Sequence, residues 1–210
     1  MKKIIITTVS LVLTLIVTFS LFSFENRQLI NRNVDKNEKI IHIVPLGDID
    51  EKYLNFIKER IISFYGFRCV IEKRITLTDD ILASSKKRYE ASKILAKYNS
   101  KKNLLLLTSV DIVHFNRKKN IPEYGIIGLG YRPGKTCIVS TFRIKINVSE
   151  KKMMERLEKV SIHEVGHNLG LDHCNYDIEC LMNDARGTVK QIDRERVWLC
   201  DNCRKIIGMK

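Results

Sequence analysis

Proline and glycine are scarce, at three and ten in 210 residues. That excludes a long disordered or low-complexity part, and a hydrophobic share of 44% is enough to build a real core. No segment repeats. Acidic residues are also in short supply, 24 against 37 basic ones, for a formal charge of +13. The plainest account is a lysine-rich solvated surface; attraction to an anionic membrane surface or to acidic substrates is the sharper one. Charge is missing altogether from Ile4 to Phe24, 21 residues that follow Met1-Lys-Lys. As a helix that run can span the roughly 30 Å of bilayer hydrocarbon. Two marks of a processed leader are missing too: the run has only a weak small-residue cleavage site, Thr18-Phe-Ser20, and no cysteine follows for lipidation. The expectation is a single-pass anchor within residues 1–30, with Lys2 and Lys3 holding the N-terminus in the cytoplasm and the rest of the chain outside it. Export after signal cleavage is the alternative. Either route argues against nucleic acid as a partner. Residues 31–38 are polar and read as a tether. Residues 39–210 remain for one domain, expected to act as a monomer.

What is there centres on His163-Glu-Val-Gly-His-Asn-Leu-Gly-Leu-Asp-His-Cys174. His163 and His167 are one helical turn apart, so both imidazoles project from one face and can reach a single zinc at about 2.0–2.1 Å. Glu164 lies roughly 100° around that helix, placed to deprotonate a water at the metal rather than to ligate it. Gly170 can adopt positive φ, end the helix and turn the chain. His173 then approaches as the third ligand, leaving a fourth position open, which is the arrangement of a catalytic zinc rather than a structural one. His42 falls on a predicted strand and reads as a packed strand residue, and His114 is left out because three histidines already supply the protein ligands.

Six cysteines are present. Cys174, Cys180, Cys200 and Cys203 have the spacing of a closed four-thiolate zinc site, but in an exported chain two disulfides are the competing reading. Cys69 and Cys137 read as small buried hydrophobes, with a disulfide between them left open.

His-Glu-x-x-His-x-x-Gly-x-x-His is the metzincin signature, which also carries a methionine in a tight turn beneath the metal; Met182 fits that place. His-Cys, five residues, Cys-x-Met, seventeen residues, Cys-x-x-Cys resembles the archaemetzincins. Ile43-Val-Pro-Leu-Gly47 and Val139-Ser-Thr-Phe-Arg143 are similar to segments of that family. The resemblance implies a small zinc metallopeptidase with two zinc ions per chain. One sits on His163, His167 and His173, and the other is structural, on Cys174, Cys180, Cys200 and Cys203. It also implies that the strand before the last lies antiparallel at the sheet edge and binds extended peptide. Gly125, Ile126, Ile127, Gly128, Leu129, Gly130 and Tyr131 are assigned to that strand, their glycines admitting a substrate backbone.

The surrounding elements follow from periodicity and punctuation. Lys39–Pro45 is a β-branched first strand. Asp48 or Asp50 can cap a helix running to about Tyr65, and Phe67–Ile71 is a second strand. Leu77–Asn99 is polar with helical patches. Asn103–Val110 is a strand apolar on both faces. Residues 124–131 and 136–142 make a hairpin or adjacent strands. Ser149 caps the helix that carries the histidines, and a short helix from about Val189 carries the last cysteine pair. The fold class is α/β (α+β): a mixed twisted sheet backed by helices, an active-site helix and a small C-terminal subdomain. The functional expectation is a zinc-dependent peptidase acting on peptide or protein substrates, with an aminopeptidase preference left open. A zinc-scaffolded peptide-binding module without turnover is the alternative.

Overall fold

The computed structural model describes residues 39–185 and 188–209. The chain divides into Met1–Glu38 and Lys39–Lys210, the point where the sequence ends the tether. The expected anchor and the tether lie outside the described residues. Among the described residues no helix is long and apolar enough to cross a membrane.

Strand β1 (Ile40–Leu46), helix α1 (Glu51–Tyr65) and strand β2 (Arg68–Ile71) form a βαβ unit with parallel strands. Of the two candidate caps for α1, Asp50 serves: Lys52 N–H donates to its Oδ1 at 2.9 Å. Gly66, at φ 70°, ends the helix in the left-handed conformation. The polar stretch that follows contains a 3-10 turn at Asp79–Ile81 and the two-residue strand β3 (Tyr89–Glu90). Helix α2 (Ala91–Lys97) comes next and buries Ala91, Ile94 and Leu95.

Strand β4 (Asn103–Thr108) then enters beside β1, and β8 (Thr136–Ser140) beside β4, all parallel. The short strand β7 (Gly128–Gly130) closes one edge antiparallel to β8, giving the order β2-β1-β4-β8-β7. Both faces of this sheet are covered. Ile43, Leu105, Leu107 and Val139 share a core with α1 and the long helix α3 (Glu150–Asn168); Val44, Leu46, Leu106 and Ile138 share one with α2. That is why β4 is apolar without alternation. Leu105, Leu106 and Leu107 are fully enclosed, each contributing about 2 kcal/mol of burial.

The structure differs from the sequence reading in two places. Gly125–Tyr131 is not one strand. Gly125 and Ile126 end β6 (Ile121–Ile126), which pairs with β5 (Ile112–Asn116) in a separate three-stranded sheet of order β3-β5-β6. The chain breaks at the buried Ile127, only Gly128, Leu129 and Gly130 reach the main sheet, and Tyr131 lies beyond them, exposed. The glycines that suggested continuity serve different neighbours. A Cβ on Gly125 would strike the Arg143 guanidinium, and one on Gly128 would strike the Glu164 carboxylate.

Cys69 and Cys137 are the small buried side chains expected of them, on β2 and β8 with β1 and β4 between them. Three strand spacings amount to about 14 Å, twice the reach of a disulfide. Both thiols are free. The second difference is that the C-terminal segment forms two helices, α4 (Val189–Arg194) and α5 (Asp201–Ile207). The link between them is drawn out against the Cys180 segment, where Arg196 N–H donates to Glu179 O at 2.9 Å and Leu181 N–H to Trp198 O at 2.8 Å. Cys200 therefore precedes α5 as its cap residue, and Cys203 lies in its first turn.

Candidate metal centres

Helix α3 is held in place before it reaches the histidines. Lys152 N–H donates to the Ser149 cap, and Met153, Leu157 and Val160 pack into the core. Arg156 is buried on the same helix; its guanidinium donates to both Asp193 oxygens, at 2.9 and 2.6 Å, and to Ile144 O at 3.1 Å, tying α4 to α3. Gly170, at φ 104°, then turns the chain back toward the helix.

That turn brings His163, His167 and His173 together, with one ligand atom from each within 4.8 Å of the others. The ring centroids are 4.6, 4.9 and 5.5 Å apart. Backbone carbonyls orient the two helical imidazoles. His163 Nδ1–H donates to Leu181 O at 2.7 Å and His167 Nδ1–H to Leu171 O at 2.8 Å. Each Nε2 is left available to a metal. Burial first, with the neighbouring imidazoles adding for His163, holds His163 down to about 3 and His167 to about 4. Both are therefore neutral at physiological pH, the state a metal ligand needs.

Met182 is fully buried against the helix that carries the pair, where a Cβ on Gly166 would lie 2.6 Å from its Sδ. Glu164 is buried on the cleft side, against β7. Desolvation alone pushes its carboxyl up to about 8; a dication on the histidines would oppose that shift.

The histidines and Glu164 open into a cleft of about 1040 Å³. One wall is the β5–β6 hairpin with His114, Lys118 and Tyr124, a second is β7, and a third carries Asp184, Ile192 and Glu195. His114 belongs to this cleft but stands apart from the ligand trio, 3.5 Å from Glu90.

The second group is Cys174, Cys180, Cys200 and Cys203, all buried, their Sγ atoms mutually within 4.8 Å. Cys174 and Cys200 are 3.6 Å apart and Cys180 and Cys203 3.8 Å. Tetrahedral zinc–thiolate bonds of about 2.3 Å imply sulfur separations of about 3.8 Å, whereas a disulfide needs about 2.05 Å. The Tyr176 and Cys200 N–H groups each point at a sulfur of the group, at 3.4 Å. All six cysteines are free, so the disulfide alternative falls.

Sequence reasoning missed the Leu171 and Leu181 carbonyls, which carry no side-chain signal. It missed Gly166 too, although a glycine inside a motif helix is such a signal. It also passed over Glu195, which no motif contains.

Two neutral histidines on a helix, a third after a glycine turn, a buried glutamate beside them and a separate four-thiolate cage define a zinc metallopeptidase. Residues 51–208 match the family model described as Peptidase family M54, and the chain belongs to that family. Among its relatives, Archaemetzincin of Natronomonas pharaonis is 29% identical over 179 residues, 80% of this chain and 98% of the relative. Archaemetzincin of Halobacterium salinarum is 26% identical over 178 residues, with the same two coverages of 80% and 98%. The crystal structure of Archaemetzincin from Archaeoglobus fulgidus superposes with a TM-score of 0.70 at 23% identity, over 80% of this chain and 99% of that one. The one from Methanopyrus kandleri gives 0.69 at 21%, over 83% and 97%. These likenesses establish the fold; the sequence match establishes the family.

Proposed function

We propose that the chain hydrolyses peptide bonds at the three-histidine centre with Glu164 as general base. The observation that carries this is Glu164 itself, buried beside three converging imidazoles and facing the open cleft. His163, His167 and His173 would hold zinc, which when bound supplies Lewis acidity toward water and a carbonyl. Glu164 accepts the proton of the attacking water and delivers it to the leaving amine nitrogen. Its site is low in polarity, so its basicity is higher than that of a solvated carboxylate.

The outer edge of β7 is the reading's substrate ledge. Gly128–Gly130 pairs with β8 on one side and borders the cleft on the other, so an extended peptide can add there as a further strand. The assignment narrows from residues 125–131 to this strand, because Gly125 and Ile126 belong to the other sheet. Cys174, Cys180, Cys200 and Cys203 would hold a second, structural zinc that fixes the segment bearing Met182.

Endopeptidase and aminopeptidase action share this chemistry, and a peptide-library digest separates them. The digest also tests the base. Glu164→Gln should keep its metal and lose turnover by about 100-fold or more. Equal rates for the variant and the wild type would remove Glu164 from the mechanism. A peptide-binding module without turnover has no use for a buried carboxylate at this position. From Ile4–Phe24 and the two lysines before it, the reading adds a membrane-anchored domain outside the cytoplasm.

A further inference from the structure

The cleft is also lined by carboxylates that the hydrolytic chemistry does not use, Asp172, Asp184 and Glu195, of which Glu195 is the buried one. Glu195 follows α4, is only 5% exposed, and lines the cleft. Its Oε1 has no hydrogen-bond partner among the described residues. A carboxylate taken out of water and left short of partners is costly, so an occupant that completes its shell is the physical expectation.

The nearest candidate from the chain is engaged elsewhere: Lys159 donates through Nζ to Ile192 O at 2.8 Å. Burial drives the Glu195 carboxyl upward, to about 7. A hydrogen bond with Gln191 and the Lys159 charge oppose this, while Asp184 on the same wall adds to it. The lining of the cleft also includes the apolar Val160, Ala185 and Ile192, together with Lys159. Apolar side chains and a buried carboxyl in one lining match an aliphatic stem with a cationic head.

We propose that this wall is a specificity subsite for a lysine or arginine side chain of the substrate, with Glu195 Oε1 accepting from its ammonium or guanidinium. The inference rests on the peptidase reading and names the side chain that the site selects. It also sets a local preference against the +13 charge of the chain, which on its own would draw in acidic substrates.

The test is a set of peptides derived from one cleaved parent. Lysine, norleucine or glutamate is placed in turn at each position around the scissile bond, with the N-terminus free or acetylated. At one position lysine should exceed norleucine in kcat/KM by about tenfold to 100-fold, the range for a charge-assisted hydrogen bond. Glu195→Gln should bring that ratio close to one, and Glu195→Asp should retain part of it. A wild-type enzyme indifferent to lysine at every position overturns the proposal, as does a preference that survives Glu195→Gln. A preference abolished by N-acetylation overturns it as well, assigning Glu195 to the substrate's terminal amine instead.

Binding of the same peptides to zinc-loaded Glu164→Gln protein, followed by fluorescence anisotropy, gives a readout independent of turnover. Lysine peptides should bind tighter than norleucine ones, and Glu164→Gln/Glu195→Gln should lose the difference. If the wild type cleaves nothing but the binding difference stands, the peptidase reading fails and the cationic subsite survives.

Discussion

At the scale of single residues, the convergence of the three histidines was legible and its support was not. His163, Glu164, His167, Gly170 and His173 announce themselves because metal ligation restricts both residue type and spacing. The groups that orient them are backbone carbonyls at Leu171 and Leu181, which any residue could supply. Glu195 is invisible in a sequence for another reason: an isolated glutamate reads as surface until burial is known. Its environment also makes a prediction about stability. The carboxyl sits near 7 in the folded chain against an ordinary value of 4.5, with Lys159, Asp184 and Gln191 as the groups acting on it. Between those values the native state binds more protons than the unfolded one, so this group's contribution to stability falls as pH rises through that window. Above about 7 the full penalty of the buried charge is present. Glu195→Gln removes it, so the variant should gain melting temperature over the wild type at pH 8 and gain little or nothing at pH 4.5. Thermal melts of both proteins at the two pH values decide this, and the same difference at each would show that Glu195 is not charged at a cost in the native state.

At the scale of elements, what was legible depended on whether pattern or packing sets the boundary. Helix α3 follows its apolar stripe, and β4 its uninterrupted leucines, so both were readable. The division of residues 121–130 into β6 and β7 is set by what each glycine meets, Arg143 in one case and Glu164 in the other, and those partners are distant in sequence. The break between α4 and α5 is likewise made by hydrogen bonds to Glu179 and Leu181. Zinc on the four cysteines would be the bond holding this last part together. Burial keeps the metal-free Cys180 thiol protonated, pushed up to about 11, so loading must displace protons and should weaken as pH falls. Replacing Cys200 and Cys203 by serine should remove one of two zinc ions and loosen α5, because a structural zinc contributes directly to folding. Metal analysis of the purified chain, with proteolysis of the region after Glu195, measures both effects. Two ions retained in the double variant would exclude these thiolates as ligands.

At the scale of the whole molecule, the parallel sheet with one antiparallel edge was expected, and the second small sheet was not, because β3 has only two residues and leaves no pattern. The charge-free run of Ile4–Phe24 lies outside the described residues, so the sequence alone speaks to it. Twenty-one apolar or uncharged residues are enough to span a bilayer, and burying them in lipid is effectively irreversible, unlike a helix lying on the surface. The basic domain, at a net +13 for the chain, would then be drawn to anionic headgroups in a salt-dependent way. The full-length protein should therefore stay with membranes through high-salt and carbonate washes, which release proteins held by charge alone. Protease added on the outer side should digest residues 39–210 and spare the segment before Ile4. A soluble exported protein whose N-terminus begins near residue 21 would show a cleaved signal instead. In that case the two metal centres and the cleft would keep their chemistry, and the domain would find its substrates in solution rather than at a membrane surface.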